Sequence, residues 1–148
     1  MMGPTSNWIY QGQPFTESGN SFGFIYCIED TTTGMRYLGK KFFTKAARRQ
    51  VKGKIKKYRK SSDWKNYWGS NARLLEDIKE RGTEGWTRTI LYLGNTKAEC
   101  SYIETLLIFQ HHALLRPSYY NEWASVKIRK AHLTSTNLLI RLDPEDHA

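Results

Sequence analysis

The chain has 148 residues, with 23 Lys plus Arg against 14 Asp plus Glu, for a formal net charge of +9. That length fits one compact domain of ~100–200 residues, and a 39% hydrophobic share with five Trp, nine Tyr and six Phe excludes a wholly disordered chain. No apolar run approaches the ~18 residues of a membrane span, and the start, Met1 to Asn7, has no apolar stretch of the secretory type. A cytoplasmic protein with no membrane partner is therefore expected. The charge is concentrated: from Lys40 to Lys60, eleven of 21 residues are basic and none is acidic, whereas elsewhere 12 basic residues face 14 acidic ones.

Residues 1–20 are polar and rich in Gly, Ser and Pro, the composition of an N-terminal arm. Phe22 to Glu29 is a short apolar and aromatic run and predicts a strand. Asp30-Thr31-Thr32-Thr33-Gly34 predicts a turn, and Arg36 to Lys41 a second strand, close enough to form an antiparallel hairpin. The basic stretch follows, then a polar loop with interspersed aromatics from Ser61 to Asn71. Ser70 or Asn71 can cap a helix over Ala72 to Arg81 with Leu74, Leu75 and Ile78 on one face, ended by Gly82. Trp86 to Leu93 predicts a third strand. Thr96-Lys97-Ala98-Glu99 has the spacing of a capping box and opens a helix to about Leu115, before Pro117. Ile103, Leu106, Leu107, Gln110 and Leu114 would form its core face. An antiparallel start followed by helix, strand and helix points to an α+β fold. The expected division is an arm over 1–20, a domain over 21–124, and an extension or docking segment over 125–148. In that last segment, Lys127 to Leu142 could also be an oligomer contact.

Taken bare, the residues leave several readings open. The basic run interleaves cations with Phe42, Phe43, Ile55 and Tyr58. It is either a solvated loop or, given its concentration of charge, a surface for phosphate backbones. Tyr26 and Tyr37 on paired strands read as cross-strand aromatic packing. Glu104 reads as the edge of a solvent-facing stripe, or as a cleft residue sharing a helical line with Cys100 and His111. His111 and His112 are adjacent and point about 100° apart, so they suit one metal ion poorly. Cys27 and Cys100 sit among apolar residues and are expected as buried free thiols. With no Cys-x-x-Cys pair, a zinc site has little support. These readings amount to a nucleic-acid binder, with or without catalysis.

Phe24-Ile25-Tyr26 followed by Tyr37-Leu38-Gly39 resembles the signature of the GIY-YIG nuclease superfamily. A helix and Gly (LLEDIKERG), a strand (WTRTILYL), a helix with internal Glu104, and then Tyr120-Asn121 follow in the order seen in that superfamily. Asp63 to Leu75 is similar to phage-encoded, homing-endonuclease-like members. The likeness covers roughly Gly23 to Trp123. Two positions depart from the pattern. Phe24 stands where the first motif has Gly, with Gly23 one place earlier. The arginine carried on the helix after the second motif has Arg48 and Arg49 as candidates and Arg73 as a competitor.

The resemblance implies a small three-stranded antiparallel sheet flanked by helices, and hydrolysis of DNA phosphodiesters dependent on Mg2+ or Mn2+. It implies Tyr26 as general base, Tyr37 orienting phosphate or water, and an arginine on the non-bridging oxygens. Glu104 would hold the metal, and Asn121 would tie the site together. Lys40, Lys41, Lys45, Lys52, Lys54, Lys56, Lys57, Arg59, Lys60 and Arg73 would contact DNA. A phage-infected bacterial cell would be the setting, and a homo-oligomer is compatible with the sequence. The alternative is a non-catalytic nucleic-acid-binding protein on the same scaffold.

Overall fold

The computed structural model describes residues 7–133 and 137–142. Residues 1–6 of the expected arm and 134–136 and 143–148 of the expected extension lie outside the described residues. The elements run β1 (Trp8–Tyr10), β2 (Gln13–Phe15), β3 (Gly23–Asp30), β4 (Arg36–Phe42), β5 (Thr44–Val51), β6 (Lys54–Ser61), α1 (Ala72–Arg81), β7 (Trp86–Gly94), α2 (Lys97–Gln110) and α3 (Asn137–Leu142). The fold is α+β, and its main sheet has the order β2-β1-β7-β3-β4.

That sheet has five strands, not the three expected, and it is mixed. β3 pairs antiparallel with both β4 and β7, whereas β1 runs parallel to β7. The two additional strands come from residues 8–15, in the stretch whose composition suggested an arm. Trp8 holds them down. It is 1% exposed, its Nε1 donates to the Trp64 carbonyl at 2.7 Å, and its ring meets Phe24 edge-on at 4.8 Å. Strands of three residues carry too little sequence to display a period.

β3 is buried on both faces because it lies inside the sheet. Phe24, Tyr26 and Ile28 face an aromatic-rich cluster with Trp8, Phe43, Trp64, Leu74 and Ile78, beneath α1. Ile25 faces the other cluster, with Leu38, Cys100, Ile103 and Leu107, beneath α2. Both cysteines are free thiols, Cys100 buried and Cys27 partly so, and burial pushes them up to about 12 and about 11 respectively.

Asn71 caps α1 by accepting the Leu74 N–H at 3.0 Å. Leu74 and Ile78 are buried as expected, but Leu75 is 41% exposed. Thr96 caps α2 by accepting the Glu99 N–H at 3.1 Å, and the Glu99 carboxylate accepts the Asn95 N–H at 3.3 Å. α2 ends at Gln110, short of the expected Leu115, and His112 at φ 53° turns the chain so that Ala113 enters the core. The C-terminal segment is tied to the domain: Thr105 donates to the Ser125 carbonyl at 2.9 Å, Leu138 is buried, and Arg141 bonds Glu99 and the Leu93 carbonyl. No described helix is long and apolar enough to cross a membrane.

The basic stretch is neither loop nor helix. β5 and β6 form a separate two-stranded antiparallel ribbon, with Thr44 opposite Ser61 at its base and Val51 opposite Lys54 at its tip. Lys52 and Gly53 make the two-residue turn with φ of 51° and 76°. Positive φ at both positions is the turn type that matches strand twist.

Candidate active site

β4 is an edge strand, and its outer edge is covered in pieces. Arg36 donates its N–H to the Ser118 carbonyl at 2.9 Å and accepts the Tyr120 N–H at 2.7 Å. Two residues on, the Asn121 side chain substitutes for a strand. Its Oδ1 accepts the Leu38 N–H at 3.0 Å, and its Nδ2 donates to the Leu38 carbonyl at 2.8 Å. Farther along, the Phe42 carbonyl accepts the Ser62 hydroxyl at 2.6 Å. By the period-2 alternation of a strand, the N–H and C=O of Lys40 are the remaining outward-facing pair on this edge.

A cleft of about 450 Å³ opens along this edge, with Tyr26, Tyr37, Lys40, Lys41, Lys45, Glu104 and Asn121 among its lining residues. Tyr26 and Tyr37 come from the α1 face of the sheet, and Lys40 and Glu104 from the α2 face. They meet only because β4 has no strand beyond it.

Tyr26 is 1% exposed and pairs across the strands with Gly39. A Cβ at position 39 would lie 2.5 Å from the Tyr26 hydroxyl and 2.6 Å from Cζ. The Gly of Tyr37-Leu38-Gly39 is thus the gap that lets the phenol lie across β4 toward the cleft. The position that cannot carry a side chain on β3 is Gly23, whose Cβ would lie 2.8 Å from the Lys41 carbonyl. Phe24 fills the aromatic core, which accounts for the displaced first motif.

Burial pushes the Tyr26 phenol well above its ordinary value, and the neighbouring phenols of Tyr67 and Tyr37 add to the effect. Tyr67 packs edge-on against Tyr26 with centroids 6.0 Å apart, and the Lys41 ammonium sits 4.0 Å from the Tyr67 ring centre. Lys41 also pairs with Asp63 at 2.8 Å and holds that carboxyl below its usual range. Tyr37 is 6.2 Å from Tyr26 between centroids, lies 3.3 Å from the Ser70 hydroxyl, and has its phenol raised by burial. Across the edge, the Lys40 Nζ donates to Glu104 Oε1 at 3.0 Å.

The cleft thus gathers four of the six residues expected to be catalytic, namely Tyr26, Tyr37, Glu104 and Asn121, together with Lys40, Lys41 and Lys45. It does not gather the arginines. Arg48 and Arg49 lie on β5 in the exposed ribbon, because that segment is a strand rather than the helix on which the resemblance would carry an arginine. Arg73 lies on α1 against the Tyr120 ring at 5.8 Å. No arginine lines the cleft among the described residues. His111 caps the end of α2 outside the cleft. The remaining cations, Lys52, Lys54, Lys56, Lys57, Arg59 and Lys60, are on the ribbon.

Sequence reasoning missed Tyr67 and Arg88. Arg88 is 2% exposed, lies between the rings of Trp8 and Trp68 at 4.6 and 4.4 Å, and donates to the Tyr67 carbonyl at 2.8 Å. Burial pulls its guanidinium down to about 10. It fixes the backbone that carries Tyr67. An arginine inside an otherwise apolar strand between Thr residues was the available signal.

No group of three or more His, Cys, Asp or Glu able to hold a metal occurs among the described residues. The Glu104 carboxylate fits an ion of the Mg2+ type all the same, since such ions keep several waters and take one or two carboxylates plus substrate phosphate. Its Oε1 is engaged by Lys40, and its side chain is 15% exposed at the cleft.

A sheet with tyrosines lying across its open edge, opposite a helix-borne carboxylate, is the arrangement expected of a GIY-YIG nuclease domain. The sequence matches the family described as "Putative endonuclease segE, GIY-YIG domain" over residues 8–124. The match covers well over half of the chain, and the chain belongs to this family within the GIY-YIG nuclease superfamily. Neither the curated proteins nor the solved structures contain a significant match.

Proposed function

We propose that the protein is a divalent-metal-dependent endodeoxyribonuclease whose chemistry takes place on the edge of β4. The observation that carries this is the convergence of Tyr26, Tyr37, Glu104 and three lysines in one cleft. Glu104 would hold a Mg2+ or Mn2+ ion, which would supply charge neutralisation at the scissile phosphate and support for the leaving oxygen.

The chain's own residues divide the rest of the work. Tyr26, in its phenolate form, takes a proton from the attacking water and becomes the neutral phenol. An ordinary phenol titrates at ~10, and burial raises Tyr26 further, so the base needs neighbouring cations to work near neutrality. Lys41 lies on the ring of Tyr67, which packs against Tyr26, and Lys40 lines the same cleft. Tyr37 and Ser70 offer hydroxyls to a non-bridging oxygen, and Asn121 holds the strand edge to which both tyrosines are referred. With no arginine in the cleft, Lys40, Lys41 and Lys45 carry phosphate binding as point charges rather than as a planar fork.

Incubation with supercoiled plasmid and Mg2+ or Mn2+ tests this. Nicking that EDTA abolishes and that Glu104→Ala lacks is the expected result. No nicking at any metal and salt concentration, or undiminished nicking by Glu104→Ala, would overturn it. The non-catalytic reading draws on the arginine-free cleft and the raised Tyr26, and would give DNA binding in EDTA with no cleavage under any condition.

A further inference from the structure

We propose that the β5–β6 ribbon is a DNA-binding arm that enters the major groove of duplex DNA beside the cleavage site. It deepens the reading above, resting on its assignment of DNA as substrate.

The ribbon buries almost nothing. Every residue of β6 is exposed, and β5 is at most half-buried. A lone two-stranded hairpin is marginal in water, and like charges directly opposite across a ladder destabilise it further. Three such pairs occur here: Lys45–Lys60, Arg48–Lys57 and Arg49–Lys56. No ribbon cation forms an ion pair with a carboxylate among the described residues, and only Lys45 at the base acts on one at longer range, Asp63. A core does not explain this element, nor does internal charge balance. A polyanion laid along it would supply the missing countercharge.

The distribution of charge selects the kind of polyanion surface. Residues directly opposite in the ladder share a face. Lys45, Lys60, Arg49, Lys56 and Lys54 therefore lie on one face, and Arg48, Lys57 and Arg59 on the other. A ribbon lying on the outside of a backbone needs cations on one face only. Within a groove, phosphates line both walls, so long side chains from either face reach one. The major groove, about 12 Å wide, admits a two-stranded ribbon, whereas the minor groove at about 6 Å does not.

The ribbon's base fixes its direction. Thr44 and Lys45 at the start of β5, and Ser62 just after β6, line the same cleft as Tyr26 and Glu104. Arg59 clamps that base, donating to the Thr44 hydroxyl at 3.1 Å and to its carbonyl at 2.8 Å. Each strand has eight residues, and at about 3.3 Å per residue the tip lies roughly 26 Å from the base. That span equals on the order of 8 base pairs.

The test uses the full chain, a 40-base-pair mixed-sequence duplex and EDTA, so that absence of cleavage has no bearing on it. Methyl green, which fills the major groove, should weaken binding about tenfold, and distamycin, which fills the minor groove, by less than about twofold. The triple variant Lys54→Gln, Lys56→Gln, Lys57→Gln relieves two of these like-charge pairs and should melt no lower than wild type. Its slope of log K against log salt should fall by about 2.7, three phosphate contacts at about 0.9 each. An unchanged slope would remove the ribbon from the DNA. A reduced slope with indifference to both dyes would put it on the outer backbone, and sensitivity to distamycin alone would put it in the minor groove; each of these outcomes overturns the proposal.

Discussion

Two hairpins follow one another in this chain and have opposite fates. β3–β4 and β5–β6 are both antiparallel, with strands of seven or eight residues. The first is packed on both faces and carries Tyr26, Tyr37 and Gly39. The second stands free and carries nine of the 23 basic residues. The difference lies in what alternates along the strands. In β3, apolar side chains point to both faces, so two layers of helix and aromatic side chains can close on it. In β5 and β6, cations point to both faces and no layer can. The first hairpin is held by packing and is suited to chemistry that needs fixed geometry. The second is held by little of its own and is suited to a charged partner.

Perturbing the first hairpin should break function outright. Tyr26→Phe removes the proposed base while keeping the ring that packs against Trp8 and Phe24, and should cost about 10²–10⁴-fold in cleavage with DNA affinity intact. Because the phenol is raised in the folded protein, the wild-type rate should climb about tenfold per pH unit from neutrality upward. Single-turnover cleavage across pH measures both. Gly39→Val puts atoms where the Tyr26 hydroxyl lies, and should lower stability by about 1–3 kcal/mol in denaturant titration along with activity.

Smaller effects sharpen the contrast. Asp30 at the end of β3 is 1% exposed. Burial would raise its carboxyl, but bonds from Arg81 at 2.7 Å, Thr33 at 2.8 Å and the Thr32 N–H at 3.0 Å outweigh this and hold it below its ordinary value. Its stabilisation is therefore present above the ordinary carboxyl range and lost as pH falls through the lowered value. Asp30→Asn should melt lower than wild type at neutral pH, and the gap should close in acid. In the ribbon, Lys57→Gln relieves the like-charge pair with Arg48 and should change stability by no more than about 0.5 kcal/mol.

The same contrast decides what was legible in the sequence. β3, β4, β7 and both principal helices could be read because their burial imposes an apolar pattern, and because Asn71, Gly82 and Thr96 mark their ends. The ribbon could not, since a strand with cations on both faces has no period. Its one signal was Lys52-Gly53, a two-residue turn flanked by only Val51 and Ile55 as apolar residues among the cations. β1 and β2 were hidden by brevity, with Trp8 as the sole apolar anchor fully buried there. In the site, Tyr26, Tyr37, Glu104 and Asn121 were named from their order along the chain, and the cleft brings them together. Of the arginine candidates, Arg48 and Arg49 lie on a strand and Arg73 on α1 against Tyr120, and the contributions of Tyr67 and Arg88 depend on long-range packing that no local pattern encodes.

The central claim is that chemistry belongs to the first hairpin and grip to the second. The most direct test measures DNA affinity and the single-turnover cleavage rate at saturating protein for two variants: Tyr26→Phe, and the triple variant Lys54→Gln, Lys56→Gln, Lys57→Gln. The predicted result is separation: Tyr26→Phe binds like wild type and does not cut, and the triple variant binds weakly but cuts at the wild-type rate once saturated. Wild-type cutting by Tyr26→Phe, or a triple variant that stays inactive when fully bound, would contradict it.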